Sequence, residues 1–185
     1  MTGWTQKRRV MRKYDLTAGM YDARYAEEQE AKYKIALDHV TIEGSVLDVG
    51  CGTGLFFSHV AAKAENLVGV DVSGKLLLQA RERAHSFGNV HLVQADGDHL
   101  PFNDGVFDLV FVFTVLQNMP APVEMLKEIR RTATRRVLMV VTGLKKVFSL
   151  DAFEGILQQG GLSVKSIEND DSSKCYVAIA VQGKE

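Results

Sequence analysis

Three glycines at alternating positions, in Asp48-Val-Gly50-Cys-Gly52-Thr-Gly54, follow a short apolar run and precede a helical one. Without a Cβ there, backbone can lie close to a ligand, and the amides of a following helix start favour a negative group such as a carboxylate. Asp48, just before the turn, offers the opposite charge to an ammonium. Asp71 stands 21 positions after Gly50, near the spacing of about 20 at which an acid takes ribose hydroxyls in nucleotide sites. Asp96 follows a third β-rich run, where its carboxylate can accept from an exocyclic amine of adenine, and Gly97 lets backbone reach the ring. The glycine spacing is not that of a dinucleotide site, because G-x-G-x-x-G would place its third glycine at Leu55. No Gly-Lys-Ser/Thr follows, which excludes a P-loop.

These residues need strands that end at each of them. Residues 45–49 end at the glycine turn and residues 67–71 at Asp71, while residues 89–94 run into Asp96. Residues 106–113, almost wholly apolar, read as a strand covered on both faces that ends at Thr114. Helices fall between the strands: residues 55–64; residues 75–86 with Ser73 as N-cap; and a helix starting at Pro120 or Pro122 with Val123, Leu126 and Ile129 as its buried stripe. Residues 136–142 form a fifth strand. Ser149 caps a helix carrying Leu150, Phe153, Ile156 and Leu157, and Gly160-Gly161 stops it. Residues 162–167 and 175–181 flank a polar turn, 169–173, as an antiparallel hairpin. Upstream, residues 15–40 read as helix broken near Gly19, with Tyr14, Tyr21 and Tyr25 able to share one face. The alternation predicts a doubly wound α/β sheet of seven strands, mostly parallel, with helices on both faces and a C-terminal antiparallel hairpin. Ligands of such sheets bind beyond the carboxyl ends of the strands, where strand order reverses.

Composition narrows the classes. With 185 residues, 46% hydrophobic and 24% charged, the chain can bury the core of one domain, expected to span residues 1–185. Lys and Arg number 22 against 23 Asp and Glu, a net charge of −1 that excludes coating nucleic acid or membrane by bulk charge. Cys51 and Cys175 build no disulfide framework and no Cys/His spacing resembles a zinc site, so no structural metal and a cytoplasmic location are expected. The basic N-terminus, Lys7, Arg8, Arg9, Arg12 and Lys13, is followed by no apolar segment of a secretory signal. No apolar run reaches the roughly 18 residues of a membrane span.

An amino acid, a ribose and an adenine together describe S-adenosylmethionine. The run Val46-Leu-Asp-Val-Gly-Cys-Gly-Thr-Gly54, with Gly69-Val-Asp71-Val-Ser73, Ala95-Asp96-Gly-Asp98-His-Leu-Pro-Phe102 and Phe107-Asp108, closely resembles class I S-adenosylmethionine-dependent methyltransferases of Rossmann-like fold. It is most similar to their compact subgroup of ubiquinone and menaquinone methyltransferases. Tyr14-Asp15 and Tyr21-Asp22 look like the lid of that subgroup, which implies a helical lid over residues 1–40 on a core of residues 41–185. The resemblance implies that Gly50, Gly52 and Gly54 line the methionine moiety, with Asp48, Cys51 and Val72 also in the cofactor site. It implies Asp71 at the ribose, Asp96 and Gly97 at the adenine, Thr114 beside the methyl group, Tyr14 and Tyr21 in the lid, and S-adenosyl-L-homocysteine as the product.

No Asn-Pro-Pro-Tyr or Asp-Pro-Pro-Tyr follows the fourth strand, where Thr114-Val-Leu-Gln-Asn-Met-Pro120 stands, which disfavours amide and exocyclic-amine acceptors. Cys51 reads as a small loop residue, since no Pro-Cys pair or histidine accompanies it. If a proton must leave the acceptor, Tyr21, His99 and Asp104 are the candidate bases. Short connections after the fourth and fifth strands leave an open mouth, suited to a small molecule under the lid, to RNA or protein, or to an activating partner protein. Lys145-Lys146 and the basic N-terminus can meet phosphates. The alternative is a non-catalytic cofactor-binding subunit that serves a partner.

Overall fold

The computed structural model describes residues 3–170 and 173–183. The outermost residues of the predicted 1–185 domain, and positions 171 and 172 of the predicted turn, lie outside the described residues. The sheet has seven strands, β1 (Ser45–Val49), β2 (Asn66–Asp71), β3 (Val90–Gln94), β4 (Phe107–Val112), β5 (Ala133–Leu144), β6 (Leu162–Glu168) and β7 (Cys175–Gln182). Their order is β3-β2-β1-β4-β5-β7-β6. Pairings from β3 through β5 are parallel, and β7 is antiparallel to both β5 and β6. The hairpin therefore docks by its second strand, leaving β6 at the edge.

Because strand order reverses between β1 and β4, the loops after these strands part at the sheet's C-terminal edge. β4 shows why its sequence is apolar throughout. Leu109 and Phe111 enter a cluster with Tyr33, Phe56 and Phe57 on one face, while Val110 and Val112 enter another with Met125, Leu126 and Ile129. α2 (Tyr21–Leu37), α3 (Phe57–Val60) and α4 (Gly74–Ala84) supply the first face, and α5 (Pro122–Thr132) and α6 (Leu150–Gln159) the second. Burying each of the three α5 side chains contributes roughly 1.5–3 kcal/mol.

Local signals placed the helix starts. Ser73 Oγ accepts from Leu76 N and Ser149 Oγ from Ala152 N, and Pro122 opens α5. Three elements depart from expectation. The N-terminal helix begins at Gly3, as α1 (Gly3–Thr17), before a 3-10 turn at Ala18–Met20 makes the expected break. After the glycine loop only the four residues of α3 are regular helix, since residues 61–63 wind into turns. The expected strand–helix alternation lapses between β3 and β4, where residues 95–106 carry only an Asp96–His99 bridge.

Candidate active site

A cavity of about 800 Å³ opens at the C-terminal edge, walled by the ends of β1 to β5 and roofed by α1 and α2. Its geometry begins with the glycine loop. Gly50, Gly52 and Gly54 all have positive φ, 75°, 58° and 77°, where a Cβ is strained. A Cβ at Gly50 would also strike Val115, and one at Gly52 would come within 3.3 Å of the Tyr21 hydroxyl. Gly50 thus turns β1 away from the sheet, and Gly52 lets the roof close.

Asp71, at the end of β2, is only 9% exposed. Gly52 N donates to one of its oxygens at 2.9 Å and Ser73 N to the other at 2.8 Å. Each carboxylate oxygen can accept more than one hydrogen bond, so fixed acceptor capacity faces the cavity. Burial still holds this carboxyl above its ordinary pKa despite those amides. Gln29 Oε1 and Gln117 Oε1 are buried acceptors with no donor among the described residues, and both residues line the cavity. An unpartnered buried acceptor is costly. Paired acceptors at Asp71, orphaned ones at Gln29 and Gln117, and a glycine at 97 beside Asp96 fit a ligand bearing a diol, an ammonium and an adenine.

Asp96 carries a partner that the sequence did not announce. Lys7 of α1 donates to its Oδ2 at 2.7 Å and to Asp98 as well. Burial pulls the lysine pKa down, but the bonds to the two carboxylates outweigh it and the value is raised. Asp96, Asp98 and His99 come close enough together to hold a metal ion, and the lysine ammonium is the cation found there. Two further links fasten the roof: Asp15 accepts from Ser73 Oγ at 2.5 Å, and Asp22 from Thr53 Oγ1 at 2.6 Å and Arg83 at 2.5 Å.

On the other side of the switch point stands Thr114. Its φ of 63° is left-handed, a conformation that costs a β-branched residue roughly 1–3 kcal/mol. Four bonds hold it there. Thr114 N donates to Thr142 Oγ1 at 2.7 Å, its carbonyl accepts from Gln117 at 2.6 Å and Asn118 at 3.1 Å, and its hydroxyl accepts from Lys32 at 2.9 Å. Lys32 is 2% exposed and also binds Glu28 at 3.0 Å, while Lys174 takes the other Glu28 oxygen at 2.9 Å. Burial would raise the Glu28 pKa, but the two ammonium groups lower it.

Of the residues singled out from sequence, Gly50, Asp71, Val72, Asp96, Gly97, Thr114, Tyr14 and Tyr21 line the cavity together. Asp48 and Cys51 instead face a small adjoining void beneath Tyr21 and Gln29. Burial, with the charge of Asp71 second, pushes Asp48 up to about 8, and burial pushes the Cys51 thiol well up. Gly52 and Gly54 line neither space: Gly52 serves through its amide to Asp71, and Gly54 lies against the Phe57 ring. The three candidate bases are not brought together. Asp104 sits at the opposite end of the sheet, ion-paired to Arg131 at 2.6 Å. His99 points outward and bonds Asp98 at 2.8 Å. Burial raises the Tyr21 phenol, so it stays protonated at neutral pH. Glu28, Gln29, Lys32 and Gln117 are not singled out as site residues from the sequence, and Lys7 reads there as a phosphate contact rather than as the partner of Asp96. For α2 the signal was there: Tyr21, Tyr25, Gln29, Lys32 and Ala36 fall on one helical face, so polar residues stand in an inward stripe.

A methyltransferase domain family model matches residues 47–141, just over half of the chain. A demethylmenaquinone methyltransferase from Staphylococcus haemolyticus is 34% identical over 96 residues, 50% of this chain and 40% of that protein. A malonyl-[acyl-carrier protein] O-methyltransferase from Marinomonas is 31% identical over 129 residues, 68% of this chain and 47% of that protein. The chain thus spans less than half the length of these relatives. Among solved structures, a SAM-dependent methyltransferase from Aquifex aeolicus superposes with a TM-score of 0.80 at 19% identity, covering 91% of this chain and 98% of that one. A complex of the Haloferax volcanii Trm112 methyltransferase activator with a methyltransferase gives 0.79 at 16% identity, covering 95% and 98%. Among the described residues no helix is long and apolar enough to cross a membrane. Glycine loop, β2 acid, sheet order and matched residues agree: the chain belongs to the methyltransferase domain family, with the class I fold of enzymes whose cofactor is S-adenosylmethionine.

Proposed function

We propose that this chain transfers a methyl group from S-adenosylmethionine to an acceptor held between Thr114, α2 and residues 144–147. The observation that carries the reading is Asp71, which two backbone amides fix at the wall of a cavity also lined by Gln29 and Gln117, each with a buried Oε1 that has no donor among the described residues. When bound, the cofactor supplies a methyl group on a leaving group that is already activated, so positioning of the acceptor accounts for much of the acceleration. Asp71 takes the ribose diol, Asp96 and Gly97 the adenine edge, and Gln29 and Gln117 the ammonium. Asp48 supports the loop from below. Thr114, locked by four bonds, sets the wall against which the acceptor rests. Residues 1–40 act as the lid of a core formed by residues 41–185, with Tyr14 and Tyr21 above the glycine loop. Among the described residues, the carboxylate on the acceptor side of the cavity is Glu28, which two lysines keep ionised and so poor at taking a proton. An acceptor ionised on its own suits that arrangement.

Calorimetric titration with S-adenosylmethionine, S-adenosylhomocysteine and NAD tests the reading. Micromolar binding of the two sulfur compounds, absent for NAD and lost in Asp71→Ala, is expected; binding of NAD alone overturns it. A second reading, in which the chain works with a partner protein in the cytoplasm, is favoured by Trp4 and Leu16, exposed on α1, and Met20, exposed in the 3-10 turn after it. Cofactor binding that appears only after a copurifying partner is added supports that second reading.

A further inference from the structure

The charge of the cavity does not match that of the chain. Six cations line it, Lys7, Lys13, Arg24, Lys145, Lys146 and Lys174, against three acids, Glu28, Asp71 and Asp96, although the net charge of the whole chain is −1. The acids are already engaged: Asp96 by Lys7, Glu28 by Lys32 and Lys174, and Asp71 by backbone amides. Among the described residues, Lys13, Arg24, Lys145 and Lys146 have no carboxylate partner. Lys145 donates to the Asp170 carbonyl at 2.7 Å and lies over Tyr176, and Arg24 lies over Tyr25.

Sheet order sorts these cations. The ribose and adenine residues follow β2 and β3, on one side of the switch point. Lys145 and Lys146 follow β5, on the other side, and α2 packs against β7 there through Glu28 and Lys174. Between them Tyr25, Phe113, Met119 and Leu144 supply apolar lining beside the polar Thr114, Gln117 and Asn118. A half-cavity with apolar patches on its floor and, among the described residues, a cationic rim without carboxylate partners attracts and orients an anion.

We propose that the methyl acceptor is a small amphiphilic anion, its apolar body over Tyr25 and Phe113 and its carboxylate or phosphate met by Arg24, Lys145 and Lys146. The inference rests on the methyl-transfer reading for the word acceptor, but the anion site stands on its own charges. The test uses the full chain saturated with S-adenosylhomocysteine and two fluorescent probes, 8-anilinonaphthalene-1-sulfonate and N-phenyl-1-naphthylamine, which share their rings and differ by the sulfonate. The sulfonate probe is expected to bind at least about tenfold more tightly, a difference of about 1.4 kcal/mol. Added salt and the Lys145→Ala/Lys146→Ala double variant should both remove that advantage. Arg135→Ala/Arg136→Ala, at the other end of β5, should keep it. Equal affinity for the two probes, or an advantage indifferent to Lys145 and Lys146, overturns the proposal. Sedimentation with phosphatidylglycerol vesicles distinguishes the source of the anion. Vesicle binding abolished by the double variant, with no probe preference, overturns the proposal in favour of a lipid surface. Absence of S-adenosylhomocysteine binding in the wild type defeats the methyl-transfer reading alone, because the probe difference is then measured without it.

Discussion

The two halves of the cavity are built in opposite ways. On the β1–β3 side, the ribose and adenine contacts expected of the ligand come from residues within a few positions of a strand end, and backbone does much of the work: Gly50 turns, and Gly52 and Ser73 amides orient Asp71. On the β4–β7 side, the wall is assembled from side chains far apart in sequence, with Lys32 of α2 reaching Thr114 and Lys174 reaching Glu28. One half is a local backbone device, which a short motif can encode. The other is a buried polar network, whose members mean little until the fold brings them together.

The sharpest way to break the first half is Asp71→Ala. Hydrogen bonds to a charged group contribute about 1.5–3 kcal/mol each, and two ribose hydroxyls are expected on this carboxylate. Affinity for S-adenosylhomocysteine should fall by at least about a hundredfold in calorimetry. Gly52 N and Ser73 N also lose their acceptor, so melting should fall too. Asp71→Asn retains one oxygen and should melt closer to wild type while still binding weakly. Wild-type affinity in Asp71→Asn would detach the carboxylate from the ligand.

The second half breaks at Lys32. Removing one partner of a buried pair leaves a charge uncompensated, at about 3–5 kcal/mol when the burial is complete. Glu28 keeps Lys174 here, so the expected loss in Lys32→Met is smaller, about 2 kcal/mol, read as a lower urea midpoint. The halves should then separate. S-adenosylhomocysteine affinity stays within about threefold, whereas probe binding on the acceptor side falls with the freed Thr114 wall. Equal losses on both sides would show that the switch point does not insulate them.

This contrast also sets what could be read in advance. Ser73 and Ser149 were legible as caps because a cap bonds an amide three residues on. The glycine turn was legible because positive φ restricts residue type at single positions. Strand order within the C-terminal hairpin is left open by our reading, although β7 is apolar from Cys175 to Val181 while β6 carries Ser163, Lys165, Ser166 and Glu168, the contrast of an inner strand with an edge strand. The start of α1 at Gly3 was not legible, its inward positions being the sparse series Lys7, Val10, Met11 and Tyr14 among cations. Asp104 looked available as a base because its neighbourhood in sequence is polar, and the fold instead gives it Arg131.

Titration sharpens the comparison beneath the glycine loop. Asp48 lies at about 8 in the folded chain because burial disfavours its charge, against about 3.9 when unfolded. The folded state therefore binds the extra proton between these values, so the stability contributed by this group is fully present below about pH 4 and lost as pH rises toward 8. Asp48→Asn carries no charge in either state. Its melting temperature relative to wild type should climb between pH 4 and 8 and level off above, by on the order of ten degrees, since the rise from about 3.9 to about 8 corresponds to about 5 kcal/mol and each kcal/mol moves a domain of this size by roughly 2–4 °C. On the acceptor side Glu28, held low by its lysines, carries the opposite slope, with stability lost as pH falls through the acid range. A flat difference between Asp48→Asn and wild type across that window would mean that the carboxylate is charged in the folded state.

The smallest effect is expected where the lid crosses into the legible half. Lys7 lies on Asp96, the residue read as the adenine partner, and joins Asp98 in fastening α1 down. Lys7→Ala frees Asp96 for the ligand but also frees the lid, two changes that oppose each other in affinity. Both ends of the ion pair are partly exposed, which limits its worth to about 1 kcal/mol or less. Affinity for S-adenosylhomocysteine should therefore move by no more than about fivefold, while association and dissociation rates both rise, because entry and exit no longer wait for the ammonium to leave Asp96. Trp4 is the single tryptophan and sits on α1, so stopped-flow fluorescence reports the lid directly. Rates that stay at wild-type values in Lys7→Ala would show that Lys7 merely decorates a helix that does not move, and the roof would then be a fixed wall of the cofactor half.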